Sequence, residues 1–329
     1  MMVISQKTER MLALSLLKGI GPASLHQISK FPSFLEEDVG VIANSLSKLK
    51  KSLEVSGSWK MALEQVRYQV SQAEESNCRI LSVLDSDYPS LLRFTKDAPY
   101  IIYVKGTLHQ SPEKSVAIIG TRHPTRHGSL ITERITSFFV KNDWSIVSGL
   151  ALGCDTIAHQ TAVAARGHTI AVLAHGLQTI SPGSNKKLAS EILESGGALI
   201  SEYGFGSAAI PAHFVKRDRT QAGLAQGVVM IQSDIKGGSL HASRAALQYG
   251  RWLAVPFPTE LDRQAAEPKI QANMLFASND TNEKASLLNC DAADLQRLHI
   301  VESKEDYPKI IELEKYVGGT SKYGLDFLD

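Results

Sequence analysis

Through the first 75 or so positions, apolar residues recur three and four apart, in MLALSLLKGIG, ASLHQISKF and SWKMALEQVRYQVSQAEES. That period puts them on one face of a helix and predicts a small helical domain over residues 1–75. From 76 to 114 the pattern thins to two apolar stretches, RILSVL and PYIIYVKG, on either side of DSDYPSLLR. This segment reads as a connector, and the turn-rich HQSPEK before Ser115 as its end.

From Ser115 the pattern becomes regular. Six apolar runs, SVAII, WSIV, TIAVLA, GALIS, GVVMIQ and WLAVP, alternate with helical stretches, the first from about Ser129 and another through VKRDRTQAGLA. Strands apolar on both faces, alternating with helices, indicate a parallel sheet covered on both sides. Right-handed crossovers then predict an α/β fold with a doubly wound, mostly parallel Rossmann-like sheet over 115–298. After Pro258 the signal weakens to one or two further helices, and 299–329 reads as a polar tail.

Composition changes this picture little. The 329 residues are 43% hydrophobic and 21% charged, an ordinary globular balance. Cys78, Cys154 and Cys290 form no CxxC pair, so neither a zinc ribbon nor a disulfide framework is expected, and scattered thiols suit a reducing cytoplasm. The first residues are too polar for a signal peptide, and no apolar run is long enough for a membrane span. A cytoplasmic location with no membrane contact is the expectation. Net charge is only +1. Residues 115–259, however, hold thirteen Lys and Arg against eight Asp and Glu, with seven of the ten histidines. A basic centre is compatible with phosphate contact.

Ligands of an open α/β sheet bind where strand C-termini meet helix N-termini. Four strand exits carry suitable residues. Gly120-Thr121-Arg122 combines close backbone approach, a hydroxyl and a bidentate phosphate grip. Ser148-Gly149 through Gly153 is a tight turn leading to Asp155 and His159. Asp155 could be a helix N-cap or a ligand, and the Asp155/His159 pair lacks a third metal ligand nearby, so no metal is expected. Lys216, Arg217 and Arg219 crowd a helix start, where Phe214 suits a core position better than base stacking. Lys236-Gly237-Gly238-Ser239, with Arg244 beyond, offers exposed backbone N–H groups, or a flexible loop capped by Ser239. Gly19-Ile20-Gly21 is either an ordinary helix–helix turn or a further set of amides for DNA phosphate. There is no GxGxxG with a following acid, no GxxxxGK[ST] and no GxSxG, which disfavours dehydrogenases, P-loop NTPases and α/β-hydrolases. No cofactor is implied.

The stretches VAIIGTRHPTRHG, IVSGLALGCDTIAHQTAV, TIAVLAHGL, ISEY, HFVKRDRTQAGLA and GGSLHASRAALQYGRWLAVP together resemble the DNA-processing protein A (Smf) family of the nucleotide-binding SLOG superfamily. LKGIGPASLHQI is similar to that family's helix-hairpin-helix (SAM-like) N-terminal domain. The resemblance covers about residues 10–260. It implies a non-enzymatic protein that binds single-stranded DNA, forms a homodimer through the sheet domain and passes the strand to a RecA-type recombinase in recombination or natural transformation. It implies phosphate contacts from Arg122, Lys216, Arg217 and Arg219, an anion site at Gly238 and Ser239, and a pocket floor at Gly149 and Gly153. Two departures stand out. Asp218 replaces a usual Asn in the family's Phe-Pro-Arg-Arg-Asn-Arg run, where it would either weaken DNA binding or aim its neighbours by ion pairing. The residues after Pro258 do not resemble the winged helix that ends many members. The alternative within the superfamily is a nucleotide sensor or an N-glycosidic hydrolase of nucleotides, as in phage defence, with Glu202 or Asp155 as the carboxylate.

Overall fold

Each central apolar run is four to six residues long and broken by glycine or polar turns, too short for a helix and suited to a buried strand. The structure, a computed structural model, describes residues 3–31 and 34–313. Nine strands form one sheet: β1 (Cys78–Ser82), β2 (Ile101–Gly106), β3 (Ser115–Ile119), β4 (Ser145–Ser148), β5 (Thr169–Leu173), β6 (Ala198–Ser201), β7 (Gly227–Met230), β8 (Trp252–Pro256) and β9 (Leu298–Val301). Their order is β1-β2-β6-β5-β4-β3-β7-β8-β9. The strands from β3 to β9 pair in parallel, while β1 and β2 are antiparallel to each other and β2 to β6. The fold is α/β and Rossmann-like.

The helices are α1 (Gln6–Ser15), α2 (Pro22–Ser29), α3 (Val39–Asn44), α4 (Ser47–Leu53), α5 (Ser58–Glu75), α6 (Ser90–Arg93), α7 (Arg126–Lys141), α8 (Cys154–Ala164), α9 (Lys186–Glu194), α10 (Pro211–Gly223), α11 (Ser239–Gln248), α12 (Glu260–Gln264), α13 (Gln271–Ala277), α14 (Thr281–Leu288) and α15 (Tyr307–Glu312). Alternate side chains of β3 divide the core, as the two-residue strand period requires. Val116 and Ile118 pack with Ile135 and Phe139 of α7 and Ala158 of α8. Ala117 and Ile119 join the other cluster, with Ala222 of α10 and Leu240 of α11.

Two segments are placed differently from the expectation. Residues 76–114 are not a mere connector, because β1 and β2 extend the sheet past β6. Their unpaired backbone groups are satisfied by that pairing. The boundary drawn at 298 falls on β9, which closes the opposite edge beside β8. Residues 314–329 of the expected tail lie outside the described residues. The N-terminal helices are joined firmly to this body. Gln69 of α5 donates to the Phe205 carbonyl at 3.0 Å and accepts from the Phe205 N–H at 2.8 Å. Thr8 of α1 hydrogen-bonds Ser82 at 2.7 Å.

At the start of β7, a Cβ on Gly227 would run into the indole of Trp252, which is 1% exposed. Overpacking of this kind costs about 1–3 kcal/mol. Gly227→Ala is therefore expected to lower the urea midpoint of unfolding by a corresponding amount, while a conservative change at exposed Met61 leaves it in place.

Candidate functional site

From β3 the chain winds outward in one direction through β4, β5 and β6, then crosses back to β7 on the other side of β3 and on to β8. The loops leaving β3 and β7 diverge, and the crevice between them is the switch point where such sheets bind ligands. A cleft of about 640 Å³ lies here. Gly120, Thr121 and Arg122 form one wall, Gly237, Gly238 and Ser239 another, and Phe214 of α10 a third. Gln232 holds the walls together. It is 4% exposed, its carbonyl accepts from the Thr121 N–H at 2.9 Å, and its amide bonds the backbone and hydroxyl of Thr125 at 3.0 and 2.9 Å.

Four helices begin at or beside this cleft: α7, α10 and α11 have no acidic residue in the first turn, while α8 has Asp155, whose carboxylate accepts the Gly149 and Ala151 N–H groups. The positive ends of the α7, α10 and α11 dipoles are therefore uncompensated from within those turns. Arg122 and Lys236 are exposed on the cleft and form no ion pair among the described residues. The Arg122 guanidinium lies 5.8 Å from the Phe214 ring centre. Phe214 is only half-buried, so it is part of the cleft wall rather than a core residue as expected. Ser239 opens α11 without capping it; its hydroxyl donates to Ser233 at 2.8 Å.

The floor is charged and buried. Arg217 is 4% exposed and donates from Nη1 to the Gly149 carbonyl at 2.6 Å and to the Val172 carbonyl, and from Nε to Asp218 at 3.1 Å. A side chain on Gly149 would collide with this guanidinium. Asp155 accepts the N–H groups of Gly149 and Ala151 at 3.1 and 3.3 Å, tying down the loop that also contains Gly153. It is not the N-cap of α8; Gly153 holds that position. Burial raises the Asp155 carboxyl against the pull of Arg217 and the loop N–H groups. Burial pushes Asp218 up to about 6, opposed by Arg217 and aided by the neighbouring Asp155. Burial, then the charge of Arg217, holds His159 down at about 3. His159 Nδ1 pairs with the Thr169 hydroxyl at 2.7 Å, and no group of three metal-ligating side chains occurs among the described residues.

The helix of this region starts at Pro211, four residues earlier than the sequence pattern suggested, and its period splits the basic run. Phe214, Arg217, Asp218 and Gln221 take the cleft face. Lys216 and Arg219 take another face, which corrects their expected place beside Arg122. Arg219 donates to Glu202 at 2.6 Å and to the Asp97 carbonyl at 2.7 Å, and Lys216 lies 3.8 Å from Glu202. Glu202 is thereby removed from the cleft and bound to cations and to Thr220, so it does not fit the role of a cleft carboxylate for glycosidic cleavage. Arg217 faces the cleft but points into the floor, which corrects its reading as a free phosphate grip. Of the two outcomes open for Asp218, ion pairing with its neighbour is the one observed. Arg244 donates to the Leu287 carbonyl at 2.9 Å and packs under α14 instead of lining the cleft. Ser148 is buried, its hydroxyl on the Ile118 carbonyl at 2.7 Å. The sequence reading missed Gln232 and Lys269. Lys269 reaches the cleft from beyond Pro258 and lies 3.6 Å from Asp234. Neither carries a local motif that could have marked it.

Comparison with known proteins places this architecture. The family described as DNA recombination-mediator protein A matches residues 79–286. Protein Smf of Synechocystis is 33% identical over 248 residues, covering 73% of this chain and 62% of that protein. The chain thus spans about six-tenths of that relative's length. The X-ray structure of DNA processing protein A from Streptococcus pneumoniae superposes with a TM-score of 0.68 at 26% identity, over 94% of this chain and 98% of that one. A Helicobacter pylori structure, titled for the single-stranded DNA binding mode of DNA processing protein A, gives a TM-score of 0.56 at 27% identity, over 73% and 96%.

Two outcomes are expected at the floor. Arg217→Ala leaves two buried carboxylates without their cation, which costs about 3–5 kcal/mol, read as a lowered denaturation midpoint. Asp218 binds its proton more tightly folded than unfolded, because its carboxyl stands at about 6 against an ordinary 3.8. Its contribution to stability is full below the ordinary value and is lost as pH rises through about 6. The unfolding midpoint of the native protein should fall over that window, and Asp218→Asn should flatten the fall. An equally steep fall in the variant would assign it to Asp155 or another group.

Proposed function

This chain belongs to the DNA recombination-mediator protein A family, and on that premise we propose that its cleft binds the backbone of single-stranded DNA in the service of recombination. The observation that carries this reading is the set of three helix N-termini, all without acids in their first turns, around exposed and unpaired Arg122 and Lys236. Such a site favours anions through fixed dipoles and N–H groups, and it reads no base sequence. Phe214 supplies a flat apolar face beside the phosphate site, of the kind on which unpaired bases stack. A duplex keeps its bases inside and presents no such face.

The protein acts by binding. It protects the strand and hands it to a RecA-type recombinase, working as a homodimer through the sheet domain. The family resemblance implies these partners, and the matching family's description as a recombination mediator is in keeping with them. Among the cleft carboxylates, Asp155 and Asp218 are both tied to the floor's own donors, which favours binding over hydrolysis of a nucleotide.

Fluorescence anisotropy with labelled single-stranded and duplex oligonucleotides across a salt titration tests the reading. Single strands are expected to bind more tightly, with affinity falling steeply as salt rises. Arg122→Ala and Lys236→Ala should each weaken binding by about tenfold, the scale of one charge-assisted contact. Lys216→Ala, on the other face of α10, should change it little. Equal effects of all three variants would place the strand elsewhere.

A further inference from the structure

Past the cleft wall that Arg122 and His123 form, the first residue of α7, Arg126, adds a cation that does not line the cleft. Arg122, His123 and Arg126 are all exposed, and they occupy three of five consecutive positions. Neither Arg122 nor Arg126 forms an ion pair among the described residues. Arg126 is the first residue of α7, where the helix dipole disfavours a cation, and no acid in that turn offsets it. The ridge is held rigidly. Thr125 caps α7 through the Gly128 N–H at 3.0 Å, receives the Gln232 amide, and bonds Asp262 of α12 at 3.1 Å. Asp262, the nearby acid, is itself buried in that contact and is 9% exposed.

A short rigid ridge of unpaired cations, continuous in sequence with the Arg122 wall of the cleft, suits a polyanion that extends past the cleft. A mononucleotide would end before reaching it. Four residues of chain span at most about 14 Å, room for roughly a further one or two phosphates beyond the one at Arg122. We propose that Arg126 extends the Arg122 and His123 wall into an outward track that guides the single strand as it leaves the cleft along the N-terminal end of α7. This inference rests on the proposed DNA-binding reading and deepens it by giving the strand a direction and a minimum length.

The test compares oligothymidines of about 4 and about 16 nucleotides, a range typical of single-strand sites, on the native protein, Arg126→Ala, Arg126→Lys and Lys141→Ala. Lys141 lies at the far end of the same helix and controls for charge. Arg126→Ala is expected to weaken the longer strand several-fold and to reduce the slope of log affinity against log salt by about 0.7, one phosphate's worth. The shorter strand should be unaffected, Arg126→Lys should restore the slope, and Lys141→Ala should match the native protein. An unchanged slope for Arg126→Ala on the longer strand overturns the track while leaving the cleft reading intact. An equal loss on both lengths also overturns it, because Arg126 would then act on the cleft or the fold. If the native protein binds neither length, the DNA-binding reading itself fails.

Discussion

A single buried guanidinium organises the floor on which the cleft stands. Arg217 reaches from α10 to the loop after β4 and to the carbonyl of Val172 in β5, so one side chain fixes three elements that are far apart in sequence. A charge in that position is costly unless paired, and Asp218 supplies the ion pair while the charge of Asp155 lies close enough to interact with it. Two carboxylates around one cation leave an excess negative charge, and burial raises both acids. The arrangement trades stability at neutral pH for a fixed geometry of the loop containing Gly149 and Gly153.

Above that floor the balance of charge reverses. The cleft mouth has Arg122 and Lys236 and the positive ends of three helices. Placing the acids below and the cations above keeps the cations available, because the buried carboxylates are already occupied by Arg217 and by loop N–H groups. Glu202 has a similar effect on the other side of α10, where it engages Arg219 and Thr220. The one carboxylate near the mouth is Asp234, which lies 3.6 Å from Lys269. It is partly exposed and screened by solvent, so a phosphate can compete with it.

The sheet is longer than its parallel core requires. The antiparallel β1 and β2 on one edge and β9 on the other cover strands that would otherwise present unpaired backbone groups. These additions join the N-terminal helices and the segment after Pro258 to one body. The same C-terminal segment carries Lys269 to the cleft and Asp262 to the base of α7. Residues with no motif of their own therefore take part in the site because the sheet needed an edge.

Much of the fold was legible in the sequence. The six apolar runs became β3 to β8 because their length and their alternation with helices leave few other ways to bury them. The glycine-bearing strand exits marked the ligand edge, and Gly120, Thr121, Arg122, Gly237, Gly238 and Ser239 do meet there. The run of Lys216, Arg217 and Arg219 was misleading, since each residue steps about 100° around a helix, which brings Lys216 and Arg219 together on one side and turns Arg217 to the cleft. Local pattern also could not show that β2 would pair with β6, or that Gln232 and Lys269 would reach the cleft. What the sequence determined by itself was the set of elements and the chemistry at their ends, both governed by short-range periodicity. Which of those groups face one another, and which are neutralised in the floor, was decided only by tertiary structure, because strand order and helix rotation bring together residues that no local pattern relates.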